Sequence, residues 1–183
     1  MNTLRFIKRT KTFVFFITLC FGDCLCGFSQ TNKVLVSKKD CKLYILNHRQ
    51  DTLMCFNCGV GLNTGNKQKK GDKRTPEGTF VISSIENSKK WTHDFNDGFG
   101  ERKGAYGPWF VRLKVPKFKG IGIHGTCFPT SIGSRCSEGC IRLSNSDIEK
   151  LVKYIKKGCK VTILPDGNKQ LALKRGKSIK KIN

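Results

Sequence analysis

Between residues 33 and 144 apolar and polar positions alternate, or gather into short β-branched runs separated by Gly, Asn and Pro. This period of two predicts strands at Lys33–Lys39, Cys41–Asn47, Asp51–Gly61, Gly78–Ile85, Pro108–Val115 and Ile121–Gly125. The period changes once. From Asn145 to Lys157 the residues Ile148, Leu151, Val152 and Ile155 form one apolar stripe. Ser144 is placed to cap that helix with Asp147 three residues on, and Lys156, Lys157 and Gly158 stand where a helix ends. A last strand is expected at Lys160–Pro165. Glu86–Gly107 has no clear period and reads either as a flap or as a surface loop. The fold class is therefore mostly β with one or two helices, without internal repeats.

The two ends differ from this pattern. Arg5, Lys8, Arg9 and Lys11 precede an apolar run from Phe13 to Phe21 broken only by Thr18, and small residues follow at Gly27 and Ser29. This is the form of a secretory signal peptide over residues 1–29. The apolar run is about half of the roughly 20 residues that a membrane span needs. Lipidation at Cys20, Cys24 or Cys26 is disfavoured, because Leu19, Asp23 and Leu25 precede them. The expected domain covers residues 30–166, and residues 167–183 form a basic tail. The chain has 183 residues and a formal charge of +22, and loss of residues 1–29 removes four basic and one acidic side chain, leaving +19. Such a charge favours polyanions, and a bacterial wall surface is one. No helix-turn-helix, zinc-finger or RNP-like pattern supports specific nucleic-acid binding. Export is the expected localisation; the oligomeric state stays open.

Candidate chemistry lies in residues 121–144, where His124 is followed sixteen residues later by Cys140. A thiol needs a base or a positive field before it attacks a carbonyl, and His124 is the nearest titrating partner. His48 falls in an expected hairpin and His93 in a polar stretch, neither in a comparable setting beside a cysteine. Gly139 lets the backbone turn tightly before the nucleophile and aim N–H groups at an oxyanion. Without residues 1–29 seven cysteines remain: Cys41, Cys55, Cys58, Cys127, Cys136, Cys140 and Cys159. Setting Cys140 aside leaves six, with fifteen pairings open; Cys127–Cys136, bracketing the loop beside the site, is the favoured bridge. The competing reading is a Cys₄ metal site from Cys55, Cys58, Cys136 and Cys140, which would remove Cys140 from catalysis.

The motifs resemble the L,D-transpeptidase, or YkuD domain, family. They run His124-Gly125-Thr126, then Ser137-Glu138-Gly139-Cys140-Ile141-Arg142-Leu143, with a Thr-Pro-x-Gly-x-Phe element at Thr75–Phe80 and a Tyr106–Leu113 run leading to the histidine. The resemblance covers residues 33–164 and implies a YkuD-like β-sandwich. Its implied reaction has Cys140 attack the bond between the third residue and the terminal D-Ala of a peptidoglycan stem peptide, with His124 as base. An amine on a neighbouring stem then takes the acyl group, forming a 3→3 cross-link, or a wall-anchored protein is the acceptor. The Gly125 carbonyl orients the imidazole, and backbone N–H groups of Gly139, Cys140 and Glu138 face the oxyanion. Ser137, Thr126 and Arg142 are substrate-binding candidates; Arg142 equally suits a structural ion pair. No metal or other cofactor is called for. This chain departs from the family in Glu138, where a second histidine is usual. Hydrolysis of the same thioester, as an L,D-carboxypeptidase or endopeptidase, is the first alternative, and a non-catalytic wall-binding module the second.

Overall fold

The alternating segments form strands because side chains of one parity meet a common core while the other parity faces out. In the computed structural model, which describes residues 31–167, these are β1 (Lys33–Ser37), β2 (Lys42–Leu46), β3 (Thr52–Asn57), β4 (Val60–Gly61), β5 (Gly78–Asn87), β6 (Thr92–Asp94), β7 (Glu101–Lys103), β8 (Trp109–Lys114), β9 (Gly122–His124), β10 (Arg135–Ser137), β11 (Ile141–Arg142) and β12 (Lys160–Leu164), with one helix, α1 (Asn145–Leu151). The signal peptide expected at residues 1–29 and nearly all of the basic tail expected at 167–183 lie outside the described residues. No described helix is long and apolar enough to cross a membrane.

Eight strands make one mixed sheet in the order β11-β9-β8-β5-β12-β1-β2-β3, while β10 pairs with β4 and β6 with β7. Seven interstrand steps of about 4.8 Å would hold the edges of a flat sheet roughly 34 Å apart. They instead meet: Gly59, just beyond β3, exchanges backbone hydrogen bonds with Arg142 of β11, both 2.8 Å. The sheet therefore curls upon itself. Val36, Leu43 and Ile45 from one side and Val111, Ile123 and Ile141 from the other fill a single core. The expected sandwich is thus one folded sheet with small ribbons added to it.

The helix is shorter than its apolar stripe. Ser144 Oγ accepts from the Asp147 N–H at 3.1 Å, as a cap should, but the helix stops at Leu151. Beyond it the sheet captures the backbone: Gly158 N–H bonds the Ile82 carbonyl at 2.8 Å, and Ile82 N–H bonds Cys159 O at 2.9 Å. Ile155 still reaches the core from this irregular turn. The Glu86–Gly107 segment is not structureless, since β6 and β7 form a hairpin within it. His48 sits in the β2–β3 turn, where Asn47 Oδ1 accepts the N–H groups of Arg49 and Asp51, both at 2.9 Å.

One buried charge anchors the long segment between β4 and β5. The Lys38 side chain is fully buried and donates to Glu77 at 2.6 Å, Gly65 O at 2.8 Å and Asp166 at 3.1 Å. Asp166 also binds Arg135. Burial alone would raise the Asp166 carboxyl, but the Gly65 N–H and Lys38 hold it below its ordinary value. Lys38→Met is expected to cost about 1–3 kcal/mol in urea unfolding at neutral pH, since it leaves the part-buried Glu77 carboxylate without its cation and takes one of two cations from Asp166. A depressed carboxyl contributes stability above its unfolded value, near pH 4, and loses it as the pH falls through the folded value. The difference between wild type and variant should therefore shrink below about pH 4. Equal midpoints at neutral pH would show that the network carries no net stability.

Candidate active site

The backbone closure that joins the sheet edges also places the candidate reacting groups. His124 ends β9, with Phe110 of β8 and Arg142 of β11 as its partners in register. Cys140 lies in the turn between β10 and β11. That turn needs glycine: Gly139 has φ +134°, and a Cβ there would lie 2.8 Å from the Arg74 carbonyl oxygen. Ser137 ties the turn together, its Oγ donating to Cys140 O at 2.5 Å and accepting the Gly139 N–H at 3.1 Å. The Gly139 N–H is thereby occupied. Among the described residues the N–H groups of Glu138 and Cys140 have no such acceptor.

His124 is buried, and its Nδ1 lies 2.6 Å from Gly125 O. A carbonyl can only accept, so Nδ1 carries the proton and Nε2 is left as the basic nitrogen. Phe110 stacks on the imidazole with ring centroids 5.4 Å apart, and Tyr106 meets it edge-on at 5.0 Å. Burial pushes the His124 pKa down to about 3, reinforced by Arg142 and His93, against the opposing Gly125 hydrogen bond. The Cys140 thiol is pushed up, again mostly by burial; the Gly122 N–H, Arg142 and Lys67 oppose this, and Glu138 adds to it. Both shifts favour a thiol and a neutral imidazole at rest. Sγ donates to Gly120 O at 3.3 Å rather than to His124.

Cys140, His124, Ser137, Glu138 and Arg142 line one cavity of about 800 Å³. Arg142 is 6% exposed, donates to Cys136 O at 3.2 Å, lies over the Phe95 ring, and has a buried Nε with no partner. No carboxylate among the described residues pairs with it, so the structural ion pair considered for Arg142 is not formed. Thr126 does not line the cavity. Its N–H goes to Asn145 Oδ1 at 2.9 Å and its Oγ accepts the Phe128 N–H at 3.0 Å, which makes it a turn-holding residue. Asn145 is a residue the motifs do not mark, yet it braces the segment that follows His124.

The structure departs from the expected Cys127–Cys136 bridge and from the expected separation of His93 from the cysteine. The seven described cysteines are all free, so the Cys127–Cys136 bridge is not formed; Cys136 Sγ instead packs under Gly59, 2.5 Å from where a Cβ would stand. Cys55 is exposed while Cys58 is buried, and no three His, Cys, Asp or Glu side chains gather as a metal site among the described residues. His93 is not remote from the cysteine. It reaches the cavity from β6, with Nε2 2.9 Å from Glu138 Oε2 and Nδ1 3.1 Å from the Tyr106 hydroxyl. Only the β6–β7 pairing brings it there, which no local motif announces.

A raised thiol pKa has a direct readout. Alkylation of Cys140 by iodoacetamide, followed by peptide mass mapping to separate it from exposed Cys55, should keep accelerating above about pH 9. A plateau reached by about pH 7 would reveal a preformed thiolate–imidazolium pair instead.

Comparison with known proteins agrees with this geometry. The family model for the L,D-transpeptidase catalytic domain, YkuD, matches residues 31–163. The YkuD protein of Bacillus licheniformis is 35% identical over 92 residues, covering 50% of this chain and 46% of that one. The chain spans about half the length of the YkuD relatives it matches. Among solved structures, the helical cell shape determining protein Pgp2 of Campylobacter jejuni has a TM-score of 0.58 at 23% identity, covering 76% of this chain and 48% of that one. L,D-transpeptidase 3 of Mycobacterium tuberculosis, in complex with a faropenem-derived adduct, has a TM-score of 0.56 at 16% identity, covering 74% and 60%. These two show the shared fold. On the extent of the family match, with His124, Ser137, Glu138, Cys140 and Arg142 of its motifs on one cavity, the chain belongs to the L,D-transpeptidase (YkuD) catalytic-domain family.

Proposed function

We propose that the protein is an exported L,D-transpeptidase that acts on peptidoglycan stem peptides in the cell wall or periplasm. The observation that carries this reading is the meeting of Cys140, a tautomer-fixed His124 and the unpaired, buried Arg142 guanidinium in one cavity. Lys67, Lys70, Lys73, Lys117 and Lys119 also line it, which suits a substrate rich in carboxylates. Arg142 then takes a substrate carboxylate, since a buried guanidinium without an anion is costly.

In the first half-reaction Cys140 Sγ turns from Gly120 O toward His124 Nε2, which accepts the thiol proton as Sγ attacks the carbonyl before the terminal D-Ala. The N–H groups of Glu138 and Cys140 hold the oxyanion, each contributing about 3 kcal/mol by analogy with donors removed elsewhere. His124 returns its proton to the departing D-Ala nitrogen, leaving a thioester. An acceptor amine displaces Sγ in the second half, giving a 3→3 cross-link or a bond to a wall-attached protein. Burial supports this order, because a neutral pair spends no energy on a desolvated charge before substrate arrives.

Intact-mass analysis tests the reading. Incubation with a disaccharide tetrapeptide or with a carbapenem should add mass at Cys140, with cross-linked dimer appearing from the tetrapeptide. Cys140→Ala should show no adduct while remaining folded, and His124→Ala should acylate about 10²–10⁴-fold more slowly. Adduct accompanied only by tripeptide would identify a hydrolase; no adduct from folded protein with a free thiol would favour a wall-binding module.

A further inference from the structure

Glu138 is the single acidic side chain lining the catalytic cavity, among five lysines and Arg142. It is 46% exposed, follows Ser137 at the end of β10, and has its Oε2 against His93 Nε2 at 2.9 Å. Its other oxygen has no hydrogen-bond donor among the described residues. On the far side of the ring, the Tyr106 hydroxyl meets His93 Nδ1 at 3.1 Å. A carboxylate can only accept, so with a neutral imidazole Nε2 carries the proton and the Tyr106 O–H donates to Nδ1. Burial first, and the nearby Glu138 carboxylate after it, raise the Tyr106 pKa and keep that hydroxyl protonated. Tyr106 therefore separates two imidazoles: His124 beside the nucleophile and His93 with its carboxylate on the hairpin side.

We propose that Glu138, positioned by His93 and Tyr106, is the subsite for the acceptor amine and takes up its first proton. The inference rests on the transpeptidase reading and adds to it. An alkylamine is an ammonium ion at neutral pH and must lose a proton before it can attack. In a cavity lined by cations, the one carboxylate is where an ammonium gains rather than loses energy. The ammonium gives one proton to the free Glu138 oxygen, from which it passes to solvent. The neutral nitrogen then forms its bond to the thioester carbonyl carbon, and the C–S bond breaks. The second nitrogen proton goes to His124 Nε2 and on to Cys140 Sγ, restoring thiol and neutral imidazole. His93 and Tyr106 hold the carboxylate in place and do not touch the reacting atoms.

The test separates acylation from aminolysis in the full-length protein. Thioester formation from a disaccharide tetrapeptide is followed by intact mass. Its discharge is then measured with a stem tripeptide bearing a side-chain amine, and in parallel with hydroxylamine, which is uncharged at neutral pH. Glu138→Gln should raise the KM for the tripeptide amine about tenfold, the size expected for one charge-assisted contact, and send more thioester to hydrolysis. Hydroxylamine discharge should fall much less. Glu138→Asp should recover part of the loss, and His93→Gln should show the same selectivity in smaller measure. Equal effects on both nucleophiles, or an unchanged KM for the tripeptide amine, would overturn the subsite. Absence of any thioester on the wild-type protein would overturn the acyl-transfer reading, and this inference with it; that outcome differs from an intact thioester with unselective discharge.

Discussion

The pair of backbone hydrogen bonds between Gly59 and Arg142 is the constraint on which the site depends. It joins the segment beyond β3 to β11, at the opposite end of an eight-stranded order. Without it the edges of the sheet would part, and the core shared between them would open to water. The β10–β4 pairing follows from the same closure, because Val60 and Gly61 come directly after Gly59. β10 and β11 are the two stems of the Cys140 turn, and β9 beside β11 carries His124. A side chain at 59 would run into Cys136 Sγ and press on Arg142 Cβ. The closure is therefore coupled sterically to the catalytic turn.

Much of this was legible in the sequence wherever the signal is local. Alternation located the main strands, and the Ser144–Asp147 pair located the helix start. The histidine and cysteine stood out because glycines flank both. What local pattern did not contain is pairing between distant segments. The helix stripe ran to Lys157, but Gly158 and Cys159 are taken by Ile82, and a tertiary ladder overrides propensity at a helix end. His93 reads as an ordinary polar residue, and its approach to Glu138 across 45 positions depends on how β6 and β7 pair. Thr126 illustrates the converse. It sits in a motif, yet its backbone and hydroxyl serve the turn.

The departure at Glu138 changes meaning once the fold is known. Taken alone, a carboxylate two residues before a nucleophilic cysteine is unhelpful, since it raises the thiol pKa. In the structure that effect comes last among the influences on Cys140, behind burial and behind the opposing Gly122 N–H, Arg142 and Lys67. The same carboxylate meets His93, and His93 meets Tyr106, whose ring also packs on His124. The substitution thus belongs to an array that includes a second imidazole from the hairpin.

Burial sets the tempo of the chemistry. A site that held its thiolate permanently would need to solvate it, and here burial outweighs the Gly122 N–H, Arg142 and Lys67 and pushes the Cys140 thiol up. His124 is disfavoured as an imidazolium for the same reason. The two shifts oppose ion-pair formation from both ends, so charge separation must await something that stabilises the developing negative charge. On the proposed mechanism, the free N–H groups of Glu138 and Cys140, with the cationic lining, offer that stabilisation at the substrate oxyanion rather than at sulfur. Proton transfer and carbonyl attack are then favoured together rather than in sequence. In such a site a neutral pair is compatible with the proposed acyl transfer, because the charge it separates is stabilised only when a carbonyl is in place.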